Sequence, residues 1–191
     1  MIDKKLLTSL KENYQASEAQ RRQINSAANA ILFESKKTIF AIQRNDFKIA
    51  GQKLNELEKS LAQMDKRFGS NRLQQEGSYR AAVEEYLESR TLYDIIKERK
   101  IKPVKNLNLD YSGYLGGICD MIGELVRYAT NAAAAGKFSE VAKIKKIAED
   151  IMTQLVDFDM TGYLRTKYDQ SRNHLRKLEQ MSYEIKLRSK K

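Results

Sequence analysis

The chain has 191 residues, of which 41% are apolar, 31% are charged, nine are glycine and one is proline. This composition excludes collagen-like, low-complexity and disordered chains, and so few helix breakers argue against an all-β fold, which needs frequent turn residues. The 35 Lys and Arg against 25 Asp and Glu give a net charge of +10. That charge favours a polyanion such as nucleic acid as partner, but solvated helix surfaces explain it equally well.

The first predicted helix is unusually long. It follows the capping residue Asp3, and neither Gly nor Pro occurs before Gly51. Asn45 and Asp46 interrupt its apolar pattern, which leaves a helix of about forty residues and about 60 Å. A globule of this size cannot cover such a helix alone, so we expect it to pack against another subunit.

The remaining apolar pattern predicts further helices with mostly short connections. Pro103 ends one of them in the clear loop 100–113, Gly77 is a weak point within the same helix, and Gly136 suits the end of the next. We predict these helices at about residues 46–68, 70–99, 110–135, 139–156 and 157–187. The expected fold is all-α: a single domain over residues 1–191, built as a bundle of about six or seven long antiparallel helices.

The cysteine content and the absence of targeting signals bear on location. Cys119 is the only cysteine, so the chain forms no internal disulfide. We find neither a signal peptide nor an apolar run of membrane-spanning length, and we expect a soluble cytoplasmic protein without a membrane partner.

Acidic residues cluster in the middle of this basic chain. Glu85 and Glu88 are three positions apart on the third predicted helix, and Asp120 and Glu124 are one turn apart on the fourth. Four such carboxylates repel one another unless protonated or neutralised, and all-oxygen ligands suit Mg²⁺ or Mn²⁺. A metal site is one interpretation and a solvated helix face is the other. Glu84 with Glu88 is an alternative pairing at i, i+4.

Three glycines lie on the same side of the fourth helix as Asp120 and Glu124. Gly116, Gly117 and Gly123 weaken a helix interior by about 1 kcal/mol each relative to alanine. We therefore expect another part of the protein to approach closely there.

Four stretches together resemble the translin family, which comprises translin and translin-associated factor X. They span most of the chain in family order, and their combination is far more specific than any one motif. They are ESKKTIFAIQR (34–44), EEYLESRTLYDIIK (84–97), YLGGICDMIGELVRYATNAAAAGKF (114–138) and LRTKYDQSRNHLRKLEQMSYEIKLRS (164–189).

The resemblance implies an all-α subunit that assembles into a hollow octameric barrel and binds single-stranded RNA or DNA. In this family the factor X subunit is a Mg²⁺-dependent endoribonuclease with an E-x-x-E and a D-x-x-x-E pair. Glu85 with Glu88, and Asp120 with Glu124, match these pairs. The resemblance therefore implies catalysis and metal binding by these four residues. A single chain that both binds and cleaves RNA would resemble the archaeal members, which assemble from one type of subunit. The LRTKYD segment is closer to translin.

Basic residues on two helices are candidates for contacts with phosphates. Lys36, Lys37 and Arg44 lie on the first helix, and Arg127 lies one turn beyond Glu124. For each alone a solvated charge is the simpler explanation, and the resemblance strengthens the case for Lys36, Lys37 and Arg127.

The sequence departs from the family pattern at two places on the first helix. Residues 28–30 read Ala-Asn-Ala where many members have Ser-Arg-Asp, and Gln43 replaces a frequent histidine. We expect His174, the only histidine, to be a surface residue and Cys119 to be a small packing residue. The rivals to a metal-dependent endoribonuclease are a non-catalytic scaffold that binds single-stranded RNA or DNA and, more remotely, an assembly module for another protein.

Overall fold

A computed structural model describes residues 2–98, 100–105 and 107–188 of the chain. Within these ranges the chain forms seven α-helices and no β-strand, which confirms the all-α prediction. No helix there is both long enough and apolar enough to cross a membrane. The helices are α1 (Lys4–Gln43), α2 (Phe47–Phe68), α3 (Ser70–Gln74), α4 (Gly77–Glu98), α5 (Tyr111–Ala134), α6 (Phe138–Val156) and α7 (Gly162–Arg188).

Aspartate side chains begin three of the helices. Each accepts a hydrogen bond from a backbone amide of the first turn, at 2.9–3.2 Å, and so satisfies a donor that has no partner within the helix. These caps are Asp3 for α1, Asp46 for α2 and Asp110 for α5.

The predicted third helix is wrong, because the chain turns at Gln75 and Glu76 and forms two helices there. Glu76 is buried and pairs with Arg72 at 2.6 Å, which fixes the turn. Gly77, expected as a weak point inside one helix, instead begins α4. The expected end at Arg99 lies outside the described residues.

The predicted start of the last helix is also wrong. We expected it at Asp157 or Asp159, but α7 begins at Gly162. Asp159 has φ 43° and Gly162 has φ 55°. These left-handed conformations do not continue a right-handed helix. The chain therefore changes direction between Asp159 and Gly162, and α7 extends from that point.

The helices enclose two adjoining apolar cores, and α4 contributes to both. One core joins the middle of α1 and most of α2 to the first half of α4. The other joins the end of α1 and the second half of α4 to α5, α6 and α7. α4 and α5 pack directly on each other, and Glu85, Glu88, Asp120 and Glu124 on these two helices are partly buried.

Helix directions depart in part from the antiparallel prediction. Helices joined by short connections, such as α1 and α2, are antiparallel. Contacts between α5 and α7 instead advance in the same direction, from Lys167 beside Asp120 to His174 beside Gly123, so these two helices run parallel. The reason is that α6 lies between them in the chain. The chain reverses direction once before α6 and once after it.

The start of α1 is not covered by the rest of the chain, as the length of the helix predicted. Residues 2–17 are all exposed. Leu6, Leu7, Leu10 and Tyr14 keep 53–67% of their surface accessible. This exposed segment is called the α1 arm below.

Candidate functional site

The four predicted acidic residues share one electrostatic environment between α4 and α5. The negative charges of Glu85, Asp120 and Glu124 all act on Glu88 and disfavour its ionisation. Asp120 and Glu124 act in the same way on Glu85. We call the region formed by these four carboxylates the acidic pocket.

Close contact between α4 and α5 creates the acidic pocket. A Cβ atom added to Gly117 would lie 2.8 Å from the Leu87 Cβ, 2.9 Å from the Glu88 backbone nitrogen and 3.0 Å from the Glu84 carbonyl oxygen. The two backbones approach so closely that only glycine fits. A Cβ on Gly116 would overlap the Glu84 carboxylate. The prediction of a close approach at these glycines is confirmed.

Glu85 and Glu88 lie close to basic residues but form no ion pair with any residue that the structure describes. Among the described residues, neither carboxylate accepts a hydrogen bond or forms an ion pair. Burial and the neighbouring carboxylates raise the pKa of Glu88 to about 9. Burial also raises the pKa of Glu85, while the nearby Lys36 opposes that change. The acidic pocket therefore favours uptake of positive charge, as a proton or a cation.

Lys167, on α7, lies at the edge of the acidic pocket. Its ammonium nitrogen is 2.5 Å from Asp120 Oδ2 and 2.8 Å from Glu84 Oε1. The Tyr163 hydroxyl donates a hydrogen bond to Glu84 at 2.7 Å. Burial opposes the charge of Lys167, but its hydrogen bonds to Asp120 and Glu84 outweigh burial and raise its pKa. Burial raises the pKa of Asp120 despite this pairing.

Gln43, a departure from the family pattern, holds the other end of the acidic pocket. Its buried amide nitrogen donates to the Glu124 carbonyl at 2.9 Å and to the Glu124 carboxylate at 2.8 Å. Asn131 donates to the Gln43 side-chain oxygen at 3.3 Å. Gln43 therefore fixes both the main chain and the side chain of Glu124.

His174 is not simply a surface residue, which corrects the prediction. It is partly buried, and its ring lies close enough to Gly123 that a Cβ there would be 3.2 Å from Nε2. Burial and then Lys177 lower the pKa of His174, while Asp120 and Glu124 oppose that change. A small residue on α5 leaves the space that this ring occupies. Cys119 is buried, as expected for a packing residue.

The predicted phosphate contacts divide between two locations. Lys36 is exposed and acts electrostatically on Glu85, and Arg127 is 3.5 Å from Glu124 and 4.8 Å from the centre of the Phe40 ring. Both border the acidic pocket. Lys37 instead pairs with Glu34, which also pairs with Lys53 of α2, so it lies toward α2. Arg44 is exposed at the end of α1.

The donor set fits a hard divalent cation in its chemistry, because all four side chains offer carboxylate oxygens. Glu85 and Glu88 form no hydrogen bond or ion pair with the residues that the structure describes, so their oxygens would be available to a cation. Lys167 and Gln43 engage Asp120 and Glu124, and accordingly no three Asp, Glu, His or Cys side chains in the described ranges are already grouped as ligands around one point. Binding a cation would require Asp120 to turn from Lys167.

Lys167, Gln43 and His174 were not among the predicted site residues. The sequence does carry one signal for Lys167, because LRTKYD is part of the family resemblance, but its contact with Asp120 is 47 positions away along the chain. Gln43 was noticed only as a departure from the family pattern.

Comparison with known proteins agrees with this architecture. The model of the translin family matches residues 19–189. The chain belongs to the translin family. An uncharacterised protein of Methanocaldococcus jannaschii is 35% identical over 98 residues, which are 49% of this chain and 44% of that protein. The match thus spans less than half of that relative's length.

Solved structures share the fold over nearly the whole chain. The structure titled apo-NeC3PO is 26% identical, with a TM-score of 0.82, and the match covers 96% of this chain and 97% of that one. AfC3PO, and AfC3PO in complex with duplex RNA, are each 20% identical with TM-scores of 0.82. They cover 95% of this chain, and 97% and 96% of their own. These likenesses show that the fold is shared over at least 95% of the chain.

Proposed function

We propose that this chain binds single-stranded RNA and cleaves it as a Mg²⁺- or Mn²⁺-dependent endoribonuclease within an oligomeric barrel of eight subunits. The observation that carries the proposal is the acidic pocket, where Glu85 and Glu88 are partly buried together and form no ion pair within the described part of the chain. Maintaining such a site costs stability, which indicates that it serves a ligand. By its charge that ligand is a cation. The membership in the translin family and the complex of AfC3PO with duplex RNA support RNA as the substrate on which the cation acts.

Glu85, Glu88, Asp120 and Glu124 would hold the metal, with Gln43 orienting Glu124. A bound Mg²⁺ or Mn²⁺ supplies water activation and neutralises charge on the scissile phosphate. Lys36 and Arg127, at the border of the pocket, would contact neighbouring phosphates of the strand. In-line attack by water would leave a 5′-phosphate and a 3′-hydroxyl.

The α1 arm supports the oligomeric part of the proposal. Its apolar side chains remain exposed in a single chain, and a closed symmetric assembly removes such surfaces from water. We expect light scattering to give a mass several times 22.1 kDa. A stable monomer at micromolar concentration would contradict this assembly.

The second candidate is a non-catalytic protein that binds single-stranded RNA or DNA. Asp120 pairs with Lys167, and Glu124 accepts a hydrogen bond from Gln43. These contacts favour the second candidate, because two carboxylates of the pocket are already engaged. In such a protein the basic residues bind the strand and the carboxylates remain protonated or paired.

Cleavage distinguishes the two candidates. Labelled single-stranded RNA is incubated with the purified protein in Mg²⁺, in Mn²⁺ and in EDTA, and the ends of the products are analysed. The nuclease proposal predicts metal-dependent fragments with 5′-phosphates, and RNA binding without any cleavage in either metal supports the second candidate. The Asp120→Asn variant controls for a contaminating nuclease, because it keeps the size of the side chain but should lose cleavage.

A further inference from the structure

The side chain of Lys167 occupies an unusual position for a lysine. It leaves α7 and inserts between two helices, α4 and α5, where only 17% of the side chain stays accessible. Its ammonium bridges one carboxylate from each helix, Glu84 and Asp120. Holding an ammonium so far from water is favourable only because two negative charges compensate it.

Glu84, which lies beside the acidic pocket, and the pocket's own carboxylates differ in charge balance. Glu84 and Asp120 share Lys167. Glu85 and Glu88 have no paired cation among the described residues. Asp120 connects the two groups, since it contacts Lys167 and also acts electrostatically on Glu88.

We propose that Lys167 is an internal counter-ion that competes with the divalent cation for Asp120, so that it weakens metal binding while it stabilises the metal-free protein. This inference rests on the proposed metal site. The Lys167 ammonium that pairs with Asp120 repels a divalent cation. It also occupies a carboxylate that the cation would need as a ligand. Glu84 provides the alternative partner on which the ammonium remains when Asp120 turns toward the metal, and the Tyr163 hydroxyl holds that carboxylate in place.

The structure gives Glu84 a different role from the pairing with Glu88 that its position in the sequence allows. From its position in the sequence, Glu84 is the residue out of register with the E-x-x-E pair. In the structure it anchors Lys167 instead of facing the pocket as a ligand, and its carboxylate lies over Gly116. Glu84 is thus a positioning residue for the ammonium.

The test measures Mn²⁺ affinity by calorimetry and melting temperature with and without Mn²⁺, for the full-length protein and Lys167→Met. We expect Lys167→Met to bind Mn²⁺ about tenfold more tightly, to melt at a lower temperature in EDTA, and to gain more from Mn²⁺ than the wild type does. Lys167→Arg keeps the charge and should stay close to the wild-type affinity. Lys177→Met removes the same charge from an exposed position on α7 and should also stay close.

Each outcome decides between the inference and the proposed function. If the wild type binds Mn²⁺ and Lys167→Met binds equally or more weakly, the competition is refuted and the metal site stands. If only Lys167→Met binds, the competition is supported and a metal-dependent wild-type nuclease is refuted. If neither binds, both are refuted. Should Lys167→Met not fold, Lys167→Gln, which keeps a donor near both carboxylates, is measured with the same criteria.

Discussion

Replacing Glu88 by glutamine removes one titratable group from the acidic pocket and keeps its size. The pKa of Glu88 is about 9 in the folded protein and 4.5 as the reference value. At pH 7 the folded protein must therefore keep a proton on a group that is ionised when the chain is unfolded. At about 1.4 kcal/mol for each pH unit between 4.5 and 7, this costs at most about 3.5 kcal/mol.

The sign of the pH dependence follows from the raised pKa. Between about pH 4.5 and 9 the folded state binds more protons at this site than the unfolded state, so the free energy of unfolding falls as the pH rises. Glutamine does not titrate and resembles the neutral acid. The Glu88→Gln variant should therefore be more stable than the wild type at pH 7, by about 1 to 3 kcal/mol, and equally stable at or below pH 4.5.

Chemical denaturation in EDTA at fixed protein concentration, repeated across this pH range, measures the difference. Glu179→Gln is the matched control, because Glu179 is exposed on α7 and its replacement should change stability little. In saturating Mn²⁺ the wild type should become more stable than Glu88→Gln, since only the wild type retains the Glu88 carboxylate that would bind the metal. A Glu88→Gln variant no more stable than the wild type at pH 7 would refute the reasoning that Glu88 is buried without compensation.

Three further predictions concern packing, assembly and RNA affinity. Gly117→Ala should destabilise the protein by about 1 to 3 kcal/mol in thermal denaturation, because its Cβ meets the α4 backbone, whereas Gly77→Ala meets only the tip of Arg80 at 3.9 Å and should be tolerated. Replacing Leu7 and Leu10 with aspartate should lower the mass measured by light scattering while the circular dichroism stays helical, and an unchanged mass would exclude the α1 arm from the interface. RNA affinity should fall steeply between 50 and 200 mM salt, because the chain carries a charge of +10, and an unchanged affinity would contradict binding through phosphates.

The sequence predicts those parts of the fold that depend on local chemistry. Asp3, Asp46 and Asp110 mark helix starts because an aspartate binds the free amides of its own first turn. The apolar residues of α5 recur at helical spacing, and among them Leu115, Ile122, Leu125 and Ala129 are buried. The turn before α4 escaped prediction, because it depends on the buried pair of Glu76 and Arg72, which the apolar pattern does not encode.

The candidate site was predictable only within single helices. Spacing places Glu85 with Glu88 and Asp120 with Glu124, and the glycines of α5 predicted the close approach that brings the pairs together. Lys167 and His174 of α7 could not be assigned to the site from the sequence. Periodicity predicts which residues share a face of a helix, but it does not predict which other helix that face contacts. Lys167 and Asp120 come together only through the parallel packing of α5 and α7.

The central claim is that the acidic pocket holds the cation that RNA cleavage requires. The most direct measurement is the initial rate of cleavage of single-stranded RNA as a function of Mn²⁺ concentration, for the wild type, Glu85→Gln and the exposed control Glu179→Gln, with RNA binding measured in EDTA. We expect Glu85→Gln to lose most cleavage and to keep its RNA affinity, while Glu179→Gln behaves as the wild type. Unchanged, Mn²⁺-dependent cleavage by Glu85→Gln would contradict it.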